Sequence, residues 1–255
     1  MILRPLEPAP AGTEEFLPAW PVIERLQKQK YEGCWLVTQP SHAALAGELA
    51  ARFRGEQLPA PDQQVIRAIA LHDAGWGMAD AQAIQQSRAR GAVQPESFIV
   101  MPVPHFLAAW QKSIETAQSV SPAGGYIASR HFFRLAEHHL HSVDDPQQDR
   151  GQLEAFIATE SQRQKKLSAG LSASHLELWT DLLQFCDLLS LYICCGSREN
   201  VLFPKYFGVE VRVENRGEML KLEPALIQPC EISVAALRHP PVKGQSGQEI
   251  TVSIA

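Results

Sequence analysis

Val65-Ile66-Arg67-Ala68-Ile69-Ala70-Leu71-His72-Asp73-Ala74-Gly75-Trp76-Gly77 is the stretch on which the reading of this chain turns. Val65, Ile66, Ile69 and Ala70 recur at helical spacing, and Pro61-Asp62 opens the run with a helix-start signal. His72 and Asp73 close it. Adjacent side chains on a regular helix point about 100° apart, so two neighbours rarely serve one site from a helix interior. At a helix end followed by glycine the backbone can bend, and both side chains can then converge on one ion. Asp73 also stands at the negative end of the helix dipole, where a cation would compensate it. An imidazole nitrogen beside a carboxylate oxygen suits a borderline or fairly hard divalent metal.

Two more positions join this pair. Gln39-Pro40-Ser41 reads as a turn launching a helix with Leu45, Leu49 and Phe53 inward, Ser41 as its N-cap and His42 in its first turn. Helix starts do not favour histidine as a cap, which leaves His42 available as a ligand. Asp187 lies in Leu182-Leu183-Gln184-Phe185-Cys186-Asp187-Leu188-Leu189-Ser190-Leu191, where a carboxylate is costly to bury unless protonated, paired or metal-bound. His42, His72, Asp73 and Asp187 are therefore the candidate metal ligands.

The ordered set of His, His-Asp and a distant Asp resembles the HD superfamily of metal-dependent phosphohydrolases. Ala68-Ile69-Ala70-Leu71-His72-Asp73-Ala74-Gly75 is similar to that superfamily's apolar-apolar-His-Asp-small-Gly motif. The phrase Val37-Thr38-Gln39-Pro40-Ser41-His42-Ala43, followed by Leu45-Ala46-Gly47-Glu48-Leu49-Ala50, narrows the resemblance. It looks like a bacterial family catalogued as a domain of unknown function with HD-like helical architecture, over about residues 1–220.

The resemblance implies that His42 is the first motif histidine and Asp187 the last motif aspartate. It also implies that Asp73 bridges two ions in two-metal members, and that His131 meets a second metal or the substrate phosphate. Asp73 and His131 are thus the expected catalytic residues. His105, Arg130 and Arg134 are further candidates for a second metal or a phosphate, since guanidinium pairs with phosphate through two hydrogen bonds. His138, His139 and His141 read instead as a polar helix end.

The implied activity is hydrolysis of a phosphate ester (phosphomonoester, phosphodiester or nucleotide) by metal-activated water. One or two ions of manganese, iron, nickel, cobalt or zinc fit mixed nitrogen and oxygen donors. Two other classes stay open: a di-iron HD-type oxygenase, and a non-catalytic metal- or ligand-binding sensor or scaffold. No phosphate loop and no nucleophile elbow competes with the metal reading.

Composition sets the outer bounds. The 255 residues carry a net charge of −5, which argues against nucleic acid as the main partner; a small phosphorylated substrate is what the resemblance implies. Homo-oligomerisation is left open. No leader is apparent and no apolar run reaches membrane-spanning length, so cytoplasm without membrane attachment is the expectation. Five cysteines are an odd number for a disulfide framework.

The expected fold is mainly α, with an HD-like helical core over about residues 39–196 inside one domain, 1–255. Helices are expected over 106–116, 123–139, 152–167 and 174–195, with residues 76–104 largely loop. Val209-Glu210-Val211-Arg212-Val213-Glu214 alternates with period two, and a small antiparallel sheet is expected from the strands of 1–38 and 207–255.

Overall fold

A computed structural model describes residues 1–9, 12–55, 61–91, 93–141, 147–217, 219–242 and 245–255. Its helices are α1 (Ala19–Gln27), α2 (Gln39–Ala51), α3 (Gln63–Ala70), α4 (Gly77–Ala89), α5 (Val103–Val120), α6 (Pro122–Leu140), α7 (Gln147–Leu167) and α8 (Ala173–Cys195). The strands are β1 (Ile2–Pro5), β2 (Leu17–Pro18), β3 (Cys34–Val37), β4 (Val201–Leu202), β5 (Arg212–Asn215), β6 (Met219–Glu223), β7 (Cys230–Val242) and β8 (Gln245–Ile254).

The local chemistry accounts for the helix boundaries. Thr38, not Ser41, caps α2 by accepting a hydrogen bond from the Ser41 N–H at 3.2 Å. Helix α2 therefore starts three residues earlier than the sequence reading places it, and Pro40 occupies a first-turn position where its missing N–H costs nothing. Asp62 caps α3 through the Val65 N–H at 2.8 Å. Ser121 caps α6 through the Gly124 N–H at 2.9 Å. Gly196, at φ 69°, ends α8 in the left-handed conformation.

The small antiparallel sheet is not what forms. The chain is 55% helical and 19% strand, and its eight strands make one mixed sheet curled into a half-barrel. Strand order is β1-β3-β7-β8-β6-β5-β4-β2, with β2·β4 and β6·β8 parallel and the other neighbours antiparallel. β1 and β3 join the sheet through β3, where Cys34 lies opposite His239 and Leu36 opposite Leu237, while β2 joins at the other edge beside β4. Two physical reasons explain the difference. β2 and β4 are two residues each, too short to carry a period-two signal, and they pair because tertiary packing brings them together. Strands β7 and β8 run through a segment with Pro240 and Pro241, which sequence rules read as a break.

Residues 76–104 also depart from the expected loop, because α4 occupies 77–89. Its only buried residues are Asp80 and Ser87, so no apolar stripe announces it.

Helix α8 organises the core, packing against α1, α2, α6 and β1. By length and composition it would be able to cross a membrane, but here Leu182, Leu183, Phe185, Leu189 and Tyr192 are buried within the fold. All five cysteines are free thiols. Cys194 and Cys195 are fully buried, and burial pushes both thiols well above their ordinary range, Cys195 to about 12.

Candidate metal centre

Four segments converge under α8. His42 comes from the first turn of α2, His72 and Asp73 from the turn that follows α3, His131 from the middle of α6, and Asp187 from α8. His42, His72 and His131 are each no more than 2% exposed, Asp73 is 6% exposed, and the Asp187 side chain is 15% exposed. The histidine rings stand edge to face around His72, at 5.3 Å from His42 and 5.5 Å from His131.

The donors fall into two overlapping groups. His42, His72 and Asp73 form one; His72, His131 and Asp187 form the other, and within each the ligand atoms lie within 4.8 Å of one another. His72 belongs to both. The sequence reading assigns His42, His72, Asp73 and Asp187 to one ion and His131 to a second site or the phosphate. The structure brings Asp73 and Asp187 to the same two rings, His42 Nε2 lying 2.9 Å from Asp73 Oδ2 and 3.8 Å from Asp187 Oδ1, and it places His131 beside Asp187, with Nε2 3.9 Å from Oδ2.

Hydrogen bonding fixes which ring atom each histidine presents. His72 Nδ1 is 2.8 Å from the Ile69 carbonyl oxygen, which can only accept, so Nδ1 carries the proton and Nε2 faces Asp187 Oδ1 at 3.2 Å. Ser190 donates its hydroxyl proton to the Asp187 backbone carbonyl at 2.8 Å, so Ser190 Oγ accepts from His42 Nδ1 at 2.9 Å. That leaves His42 Nε2 pointing at Asp73 Oδ2, 2.9 Å away. Both neutral rings would thus aim a lone pair at a carboxylate. Such an arrangement requires a cation between nitrogen and oxygen, either a proton or a metal ion.

The electrostatics agree with this demand. Burial works against a charge on His72, but Asp73 and Asp187 outweigh it and hold its pKa near 9. Burial also opposes ionisation of Asp187, yet the His72 hydrogen bond and the neighbouring histidines bring it down to about 2. His131 goes the other way: burial, set against the pull of Asp187, takes it to about 4, so its ring is neutral near pH 7. His131 Nδ1 is buried without a hydrogen-bond partner among the described residues. Two carboxylates and three imidazoles fit one or two divalent ions of the borderline class.

The backbone that delivers Asp73 is not helical. Asp73 sits at φ −112°, ψ 19°, in the sparsely populated bridge region. Gly75 holds this turn against α5: its N–H donates to Ser113 Oγ at 3.0 Å. A Cβ at Gly75 would lie 2.1 Å from the Ala109 carbonyl oxygen. The glycine therefore serves close approach.

The remaining candidates are placed elsewhere or already engaged. His105 is exposed in the first turn of α5 and takes no part in either donor group. Arg134 bonds Asp181 Oδ1 and Glu177 Oε2, each at 2.8 Å, and also Gln184. Arg130 lies 3.3 Å from Glu177 and over the Phe133 ring. Arg134 is held in a carboxylate network, whereas Arg130 Nε has no hydrogen-bond partner among the described residues. His138 is exposed, and His139 packs against Phe106.

Sequence reading missed Ser190, although its signal was present: a hydroxyl one helical turn beyond Asp187 on an otherwise apolar helix.

Comparison with known proteins adds a family. A family model described as a protein of unknown function (DUF3891) matches residues 26–236, a span that contains all five cluster residues. No curated protein and no solved structure matches the chain. With well over half of its length matched, the chain belongs to the DUF3891 family.

Proposed function

We propose that this protein is a metal-dependent hydrolase of a phosphate ester, with the HD-like set His42, His72, Asp73 and Asp187, joined by His131, as its centre. The observation that carries the reading is the double mismatch at the cluster: His42 and His72 both turn Nε2 toward carboxylates while their Nδ1 atoms are committed as donors. A structural ion pair would require only one such contact. Here two imidazoles and two carboxylates share one buried space, an arrangement that favours a multivalent cation.

His42, His72 and Asp73 would hold one ion, and His72, His131 and Asp187 the other donor set. A divalent ion so bound supplies an acidified water and a Lewis acid for a phosphoryl oxygen. The chain's own groups prepare the rest. Ser190 and the Ile69 carbonyl orient the two rings. His131, neutral near pH 7, would offer its Nε2 lone pair beside Asp187 and keep its proton on Nδ1. Asp187 is the most exposed member of the cluster, its side chain 15% exposed.

Elemental analysis of purified protein tests the first half of the reading. Wild type should carry transition metal, His72→Ala should lose all of it, and His131→Ala should retain the ion of the other group. Full metal content in His72→Ala would overturn the assignment. Turnover of a phosphomonoester, phosphodiester and nucleotide panel by the metal-loaded protein, abolished in Asp73→Ala, tests the second half.

A further inference from the structure

A polar cavity of about 150 Å³ lies beyond the C-terminus of α8. Three segments enclose it: residues 12–14 ahead of β2, Arg198 and Asn200 between α8 and β4, and Asn215 and Gly217 where β5 turns toward β6. Asp187 stands nine residues before Gly196 on α8, about 14 Å along the axis at 1.5 Å per residue, so this cavity is separate from the His/Asp cluster. Two glycines let the segments close around it. The Gly12 N–H donates to the Arg198 carbonyl at 3.2 Å, and a Cβ on Gly12 would lie 2.6 Å from Glu199 Cα. Gly217 has φ 87°, in the left-handed region that glycine enters freely.

The two amides of the lining are spent mainly on holding its walls. Asn200 Nδ2 donates to the Thr13 carbonyl at 3.2 Å, and its Oδ1 accepts the Asn215 N–H at 2.9 Å. Asn215 Nδ2 donates to the Tyr192 hydroxyl at 3.1 Å and the Ser197 carbonyl at 2.9 Å, while its Oδ1 accepts the Gly217 N–H at 2.9 Å. Arg198 is the exception. It is half-buried, and its Nη2 reaches Gly217, 3.5 Å from where a Cβ would stand. Yet its guanidinium makes no hydrogen bond or ion pair with any described residue. The arginines around it are engaged: Arg25 pairs with Glu199, Arg216 with Glu214, and Arg212 lies over the Phe16 ring. Glu14 brings a carboxylate to the exposed rim without pairing with Arg198. A guanidinium holds five N–H donors in a planar fork and no acceptor, and Asn200 Nδ2 keeps one further hydrogen. The unspent capacity inside the cavity is therefore donor capacity, and it carries a positive charge.

We propose that this cavity is a binding site for a small oxyanion, a phosphate or a carboxylate group, which Arg198 holds through two parallel hydrogen bonds with Asn200 Nδ2 as a further donor. Planar guanidinium matches either group in this bidentate manner. The volume lies below the roughly 300–1,000 Å³ of pockets that take larger ligands, so the anion is a small one. The site does not depend on the metal centre proposed above.

Calorimetric titration of inorganic phosphate, and separately of malonate, into the full chain tests the assignment. Wild type should bind at least one of them saturably, and the tighter of the two names the group. Arg198→Gln removes no hydrogen bond between described residues, so it should keep the wild-type circular dichroism and weaken binding tenfold or more. Arg198→Lys keeps the charge without the fork and should fall between the two. Glu14→Gln removes the like charge from the rim and should tighten binding about twofold. Binding should persist in Asp73→Ala, which alters the His/Asp cluster alone. Equal affinity in wild type and Arg198→Gln overturns the assignment, as does failure of wild type to bind either anion. Binding lost in Asp73→Ala but kept in Arg198→Gln moves the anion to the cluster and overturns it equally, and weaker binding in Glu14→Gln overturns its placement beside the rim.

Discussion

Replacing Ser190 with alanine isolates the orienting hydrogen bond of the cluster. Alanine is the best helix former and is smaller than serine, so α8 accommodates it without strain. The Asp187 carbonyl keeps its place in the helical ladder. The loss falls on His42, which is fully buried and whose Nδ1 has Ser190 Oγ as its partner at 2.9 Å. Leaving a buried donor unpaired costs about 1–3 kcal/mol. If His42 escapes by moving its proton to Nε2, it ceases to be a metal ligand, because that nitrogen then has no lone pair to offer. Either route lowers metal affinity, by about 10–100-fold on the scale usual for partners of ligating histidines. Competition against a calibrated chelator would measure this, with circular dichroism to verify that the helices persist. A Ser190→Ala protein that binds metal within twofold of wild type would refute the tautomer argument, and with it the main support for a metal at His42.

Other outcomes follow from the same geometry. Gly75→Ala should destabilise the fold by about 3 kcal/mol or more, since its Cβ meets backbone atoms, the Ala109 oxygen at 2.1 Å and the Ser113 nitrogen at 2.8 Å; a urea midpoint equal to that of wild type would contradict this packing. Metal binding must displace a proton from His72, so apparent affinity should fall about tenfold for each pH unit below about 9; a pH-independent chelator competition would exclude His72 as a ligand. In metal-free protein, His72 has a folded pKa above its ordinary 6.5, so its stabilisation is complete below pH 6.5 and is lost as pH rises through 9. His131, lowered to about 4, has the opposite sign and costs stability as pH falls from 6.5 toward 4. His72→Ala should flatten the alkaline limb and His131→Ala the acid limb in denaturant titrations across pH.

What the sequence disclosed follows from which features are local. Asp62, Ser121 and Gly196 mark helix ends by their own chemistry and could be read directly or nearly so. Helix α8 announced itself by composition, and Asp187 stood out because ionised groups are rare in such surroundings. Ser41 was mistaken for the cap of α2 because Thr38 offers the same hydroxyl three residues earlier, and Pro40 tolerates either start. Helix α4 gave no pattern, since what it buries is polar: Asp80 accepts the Gln39 N–H at 2.6 Å and so ties α4 to the start of the helix bearing His42. The parallel pairs β2·β4 and β6·β8 join segments far apart in the chain, and no local preference encodes such a partner.

The convergence at the cluster depends on a helix ending where it does. Were α3 to continue through Asp73, His72 and Asp73 would diverge by about 100°, and only one could face His42 and Asp187. Leu71 leaves the helix at φ −112°, and Asp73 adopts the same φ with ψ 19°, which turns its carboxylate onto His42 Nε2. Two contacts hold that nonhelical turn from outside. Gly75 provides one by letting α5 press against the turn, and the Ile69 carbonyl provides the other by holding the His72 ring. The His-Asp pair and the glycine two residues later are therefore one device: the glycine earns its place by fixing the nonhelical turn that lets two adjacent side chains serve one centre.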